Sequence, residues 1–224
     1  MPYSLQVLAT ADGSHTLALP DKQVTYHSRH GAVQESSYVF IQTGLLPALA
    51  SFRHTTLQIF EMGFGTGLNA LLTATKAAEQ QQEIRYHSID LYPLPEEKRQ
   101  MLNYGDFVQQ PALWAAIGAC AWGQWCKPLP GFSLKKEKAD LLSCNLEAGY
   151  HLVYFDAFAP DVNPELWTEA VFEKLFTHML PGGLLVTYCS KSIVRKALEK
   201  AGWQVEKLPG PPGKREIVRA LKRA

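Results

Sequence analysis

Apolar and polar positions alternate in two rhythms along this chain, and the rhythms take turns. Near the front, LQVLATADGSHTLAL alternates residue by residue around Asp12-Gly13, which predicts a β-hairpin, and QVTYHS continues the strand character. From Gln34, ESSYVFIQTGLLPALASF places Tyr38, Ile41 and Leu45 at helical spacing, with Gly44 and Pro47 expected to break it into a helix and a following segment. The apolar run that ends at Glu61 then meets Gly63, Gly65 and Gly67 and passes directly into LNALLTATKAA. That is a strand, a tight turn and a helix start. EIRYHSID predicts a second strand ending in Asp90, FSLKKEKAD a third reaching Asp140, and the continuous apolar run of HLVYFD a buried parallel strand ending in Asp156. WTEAVFEKLFTHML reads as a helix stopped by Pro181-Gly182-Gly183, LLVTYCS as a strand, and KSIVRKALEKAG as a helix ended by Gly202. WQVEKL and REIVRAL, joined by PGPPGK, close the chain as an antiparallel pair. Strands alternating with helices predict an α/β fold with a seven-stranded, mostly parallel sheet. Residues 1–56 read as an extension packed as a lid or on the substrate side, and 57–224 as the main domain.

Composition narrows the class. A chain of 224 residues, 46% of them hydrophobic, can core one domain and a small appendage. No window reaches the roughly 18 to 20 apolar residues of a membrane span, and the N-terminus lacks a basic stretch followed by an apolar core, so a cytoplasmic protein is expected. Cys120, Cys126, Cys144 and Cys189 lack zinc-ligand spacing and suggest no disulfide framework; they read as reduced, packed thiols, and no metal is expected. Phe107, Trp114, Trp122 and Trp125 lie in a region read as helical, and large aromatics at helical spacing are read as packing. The net charge is only +1, yet Pro181 to Ala224 carries ten Lys or Arg against three Glu. A basic end on a nearly neutral chain suits a phosphate backbone.

The glycine turn is the strongest chemical signal. Glycine permits left-handed dihedrals and lets the backbone lie against a ligand. A dinucleotide fingerprint would put its third glycine at position 68, where Leu68 stands, and no phosphate-loop Lys follows. A nucleoside-like ligand is therefore expected, without a pyrophosphate. Asp90, 23 residues past Gly67, is at the distance where such folds place an acid on the ribose hydroxyls. Asp156 ends the strand beside the first one, at the switch point where ligands bind, and so faces the ligand.

With EMGFGTGLN, SIDLYPL, FDAFAPDVNPELW, LPGGLLVTYCSKSIVRKALEKAGW and GKRE in this order, nearly the whole chain resembles the methyltransferase domain of the MnmC family of tRNA wobble-uridine modification proteins. The resemblance implies a Rossmann-like class I methyltransferase fold, S-adenosylmethionine as cofactor, and methylation of the amine of 5-aminomethyl(-2-thio)uridine in tRNA. It implies Gly63, Gly65 and Gly67 at the methionine portion, Glu61 fixing the turn or that portion's amine, Asp90 at the ribose and Asp140 near adenine. Glu35, with Gln34 and Ser36, is expected to border the cofactor or to lid the site. Asp156 is the expected catalytic carboxylate, and Lys214 and Arg215 the expected contacts to substrate phosphates. The bifunctional members also carry an FAD-dependent oxidase domain, for which this sequence has no room, so a stand-alone form is expected whose aminomethyl substrate comes from a separate enzyme. Two other readings remain open: an amine methyltransferase for a small molecule or protein, and a catalytically silent RNA-binding protein.

Overall fold

The computed structural model describes residues 5–223, with Lys22 described by its backbone alone. Residues 1–4 of the expected N-terminal extension, and Ala224, lie outside the described residues.

Eleven strands form two sheets among the described residues. Strands β1 (Gln6–Ala9), β2 (His15–Leu19) and β3 (Val24–Thr25) make a small antiparallel sheet. The expected Asp12-Gly13 hairpin joins the first two: Asp12 Oδ1 accepts the Ser14 N–H at 2.9 Å, and Gly13 takes φ +87°.

The main sheet holds β4 (Leu57–Met62), β5 (Ile84–Asp90), β6 (Trp125–Leu129), β7 (Phe132–Lys138), β8 (Tyr150–Phe155), β9 (Met179–Thr187), β10 (Gln204–Pro209) and β11 (Glu216–Leu221), in the order β10-β11-β9-β8-β4-β5-β7-β6. β7, β5, β4, β8 and β9 run parallel, and β11 and β10 close one side antiparallel. These are the seven expected strands. β6 is an eighth, antiparallel to β7 at the other edge, in a region the sequence reads as helical. The helix there ends at Ala119. Pro128 can sit in β6 because an edge strand has a side with no ladder bond to lose.

Side chains along the strands divide by twos between the faces. Leu57, Ile59, Tyr86, Leu152, Tyr154 and Val186 join one apolar layer; Phe60, Met62, Ile89, Val153, Phe155 and Leu185 join the other. Each fully buried aliphatic side chain of this kind stabilises the fold by about 1.5–3 kcal/mol. Helices Leu68–Glu79 and Pro111–Ala119 supply residues to the first layer, and Glu169–His178 and Ser192–Lys200 to the second.

Three sequence expectations need correction. Gly44 and Pro47 do not break their helix: it runs without interruption over 32–51, with π-helical turns at Ser37–Leu45 between α-helical ends. Gly44 lets this helix lie against β9, since a Cβ there would stand 2.9 Å from Val186 Cγ2. Pro47 has no N–H to donate to the preceding turn and lies two residues past the π-helical stretch Ser37–Leu45, where the regular ladder is already interrupted. Cys120 and Cys126 are not thiols but a disulfide, with Cα atoms 5.9 Å apart, because the chain reverses after the helix at Ala119 and lays β6 back beside it. Cys144 and Cys189 are free. Of the four aromatics, Trp114 is buried, whereas Phe107 and Trp125 are more than a third exposed; the Arg85 guanidinium covers the Trp125 ring at 4.4 Å. Among the described residues no helix is long and apolar enough to cross a membrane.

Candidate active site

β4 is flanked by β5 and β8, and the chain leaves toward opposite sides of it, so a crevice opens at the carboxyl ends of these strands. A cavity of about 890 Å³ fills it. Its floor is the glycine turn. Gly63 takes φ +94°, and a Cβ there would stand 2.8 Å from the carbonyl oxygen of Asp156, a backbone atom with nowhere to go. The Gly63 and Phe64 N–H groups both donate to Ile89 O, which ties the turn to the end of β5. Gly65 N–H donates to Asp90 Oδ2 at 2.9 Å, and Tyr92 N–H to Asp90 Oδ1 at 2.8 Å. Burial raises the Asp90 pKa, and the two backbone bonds oppose that. Asp140 also lines the cavity, with Oδ1 accepting the Leu142 N–H at 3.0 Å. Between these acids the wall carries Leu91, Leu94, Leu141 and Leu142, with Lys98 and Lys138 also lining it.

The opposite wall carries different chemistry. Asp156, at the end of β8, accepts a hydrogen bond from Asn69 Nδ2 at 2.9 Å. Burial pushes its pKa up to about 7; the nearby negative charge of Glu35 adds to this, while the Asn69 bond and Lys214 oppose it. Glu61 is fully buried and outside the cavity lining. Its Oε1 accepts from the same Asn69 nitrogen at 3.0 Å, and Ser88 Oγ donates to its Oε2 at 2.6 Å. Burial pushes Glu61 up to about 8 against these two bonds.

The front of the chain covers the cavity. Tyr26, His27 and Ser28, just past β3, line it. The Tyr26 ring lies against Gly65 and meets Phe158 edge to face at 5.3 Å. His27 Nε2 is 2.9 Å from Thr66 Oγ1 in the glycine turn, and burial lowers the imidazole to about 4, so it is neutral. Glu35 Oε2 accepts the Ser28 N–H at 2.8 Å. Its Oε1 lies 3.3 Å from Lys214 Nζ, an ion pair without hydrogen-bond alignment. Lys214 also stands 4.6 Å over the ring of Tyr188, whose hydroxyl donates to Ala157 O at 2.8 Å.

One cavity therefore gathers Gly63, Gly65, Asp90, Asp140, Asp156, Glu35 and Lys214. Gly67 and Glu61 stand behind its wall, and Arg215 is exposed outside it. The sequence reading missed Asn69, Tyr26, His27 and Tyr188. Asn69 had a signal, a carboxamide in the first turn of the helix after the glycines; His27 meets Thr66 only through the tertiary fold. Among the described residues no group of three or more His, Cys, Asp or Glu is placed to hold a metal ion.

The fold is that of a class I S-adenosylmethionine-dependent methyltransferase, and residues 134–223 match the sequence model of a family described as S-adenosyl-L-methionine-dependent methyltransferase. In sequence the chain is similar to the MnmC proteins. It is 32% identical over 213 residues to the tRNA 5-methylaminomethyl-2-thiouridine biosynthesis bifunctional protein MnmC of Aromatoleum aromaticum, a match covering 88% of this chain and 32% of that protein. The protein of the same name from Nitrosospira multiformis is 31% identical over 212 residues, covering 86% and 33%. The chain spans about a third of the length of these curated relatives. The crystal structure of MNMC2 from Aquifex aeolicus superposes with a TM-score of 0.76 at 25% identity, covering 99% of this chain and 72% of that one.

Fold and family imply S-adenosylmethionine as cofactor, and the residues present fit it. The cradle at Gly63 has no room for a Cβ, an acid stands at the end of β5, and the buried Asn69 Oδ1 at the cavity wall has no hydrogen-bond partner among the described residues.

Proposed function

We propose that this chain methylates the primary amine of 5-aminomethyl(-2-thio)uridine at the wobble position of tRNA. S-adenosylmethionine would supply an electrophilic methyl group on a sulfonium, which is a good leaving group. Gly63 and Gly65 would hold its methionine end against bare backbone, Asp90 its ribose, and Asp140 with Leu141 and Leu142 its adenine side. Both Asp90 oxygens already accept backbone N–H groups, but each carboxylate oxygen can accept a second bond.

The observation that carries the reading is Asp156, a carboxylate bordering the cavity at the end of β8 with a pKa near neutrality. An alkylamine is mostly protonated at neutral pH and has no lone pair to react with. An ordinary aspartate is a weaker base than an alkylamine by about 6 pKa units, and burial of Asp156 narrows that gap to about 3. Asp156 would accept the ammonium proton and keep the amine oriented, while fixed geometry does the rest.

The names of the relatives supply the substrate class, and the basic end of the chain fits a phosphate backbone, with Arg215 free to reach it. Residues 1–56 would cover the site from the substrate side. Methyl transfer consumes the aminomethyl group without making it, so a separate activity must supply that group, in the cytoplasm where tRNA is found. The test is nucleoside mass spectrometry of tRNA bearing 5-aminomethyluridine after incubation with protein and S-adenosylmethionine. A methylated nucleoside that depends on the cofactor supports the reading; methylation of free amines with tRNA untouched would replace it by a small-molecule methyltransferase.

A further inference from the structure

Helix Leu68–Glu79 starts directly after the glycine turn, and its second residue, Asn69, is 3% exposed. A carboxamide nitrogen has two protons, and Asn69 uses both on carboxyl groups: 3.0 Å to Glu61 Oε1 and 2.9 Å to Asp156 Oδ2. The two acids are thus less than two hydrogen-bond lengths apart across one atom. Their surroundings differ. Glu61 is packed in the middle of the sheet against the buried phenols of Tyr86 on β5 and Tyr154 on β8, with Ser88 at its far oxygen and Asp156 as the nearby charge; among the described residues it has no ion pair. Asp156 borders the cavity and feels Glu35, the Tyr188 phenol and the cation of Lys214.

Two buried carboxyl groups this close cannot both ionise cheaply, and the proton stays on the one with neither water nor a cation. Ser88 Oγ, 2.6 Å from Glu61 Oε2, donates to a carboxylate there and, with its hydroxyl rotated, accepts the proton of the neutral acid. Resting on the reading of Asp156 as proton acceptor, we propose that Asn69 is a positioning residue that ties Glu61, kept as a neutral acid, to Asp156, kept as a carboxylate, so that the pair carries one negative charge at the cavity wall. Asn69 spends one N–H on fixing the direction of the reactive carboxylate and the other on a neutral anchor that does not compete for the substrate proton.

Two measurements test this. Infrared spectra of the cofactor-free protein at neutral pH should contain the C=O stretch of a protonated carboxylic acid, lost in Glu61→Gln. Absence of the band from the difference between the parent and Glu61→Gln spectra overturns the proposal; a band common to both proteins belongs to Asp156, itself partly protonated near neutrality. The pH profile of turnover gives the second. Asn69→Leu removes a hydrogen bond to a charged group, so the acid limb should move up by about one to two pH units. Asn69→Ser, which restores one donor, should move it less. An unmoved limb in an Asn69→Leu protein that melts cooperatively overturns the positioning role, and if that variant does not fold, the infrared comparison decides alone. Should the parent protein methylate no tRNA, the functional reading falls while the infrared result still reports where the proton sits.

Discussion

Asp90 and Asp156 end strands on either side of β4 and face the same cavity, yet they are held by different means. Asp90 accepts from two backbone N–H groups, of Gly65 and Tyr92, and both donors belong to turns that the fold itself defines. Asp156 accepts from a side chain, Asn69, and its neighbours Glu35 and Lys214 come from distant parts of the chain. Backbone donors suit a group that must stay ionised and bind hydroxyls. A neutral amide and a nearby negative charge suit a group that must take up a proton and release it.

The comparison breaks first if Asp156 is replaced. Asp156→Ala should lower turnover by roughly 10² to 10⁴ while leaving S-adenosylmethionine affinity within a few-fold by calorimetry. A near-normal rate would make Asp156 another structural acid. Asp90→Ala should do the reverse, weakening cofactor binding by about 1.5–3 kcal/mol with little change in turnover at saturation. Equal effects of both substitutions on affinity would erase the distinction.

The pH dependence of stability sharpens it. The folded protein binds the Glu61 proton more tightly than the unfolded chain does, with a pKa of about 8 against 4.5. That stabilisation is complete below about pH 4.5 and is lost as pH rises through about 8. Between those limits Glu61 should contribute a decline of about 1.4 kcal/mol per pH unit to the cofactor-free protein, and Glu61→Gln should flatten the urea-unfolding profile by that much. The smallest effect is expected outside the cavity. Arg215→Ala should reduce the slope of log affinity for tRNA against log salt by about 0.7 to 0.9, the mark of one lost phosphate contact. Lys214→Ala, removing a cation already engaged by Glu35, should alter turnover more than that slope.

The half of the site built on the glycine turn was legible in the sequence because local rules write it: apolar runs end in acids, and glycines stand where the backbone needs positive φ. Asp90, Asp140 and Asp156 were found that way, and the cavity does collect them. The other half was not. His27 reaches Thr66 and Lys214 reaches Glu35 only after the chain has folded, and no spacing rule links them. Lys214 and Arg215 follow the PGPPG turn together, yet Lys214 lines the cavity while Arg215 is exposed outside it. Cys120 and Cys126 looked like ordinary thiols because their bond depends on β6, an edge strand whose aromatic and proline content did not read as one. Asn69 looked like any polar residue opening a helix, and its importance comes from standing between two acids on neighbouring strands.

The covering of the cavity joins residues near the two ends of the chain: His30 lies against Gly213, and Glu35 against Lys214. A chain emerging from a ribosome can pair β4, β5, β7 and β8 well before residue 214 has been made. The pocket then exists with its floor and without its closing cation, and Glu35 is a buried acid with no counterion. The site is thus completed only once residue 214 has been made and has left the ribosome, and a chain stalled before that point would present the crevice without its closing cation.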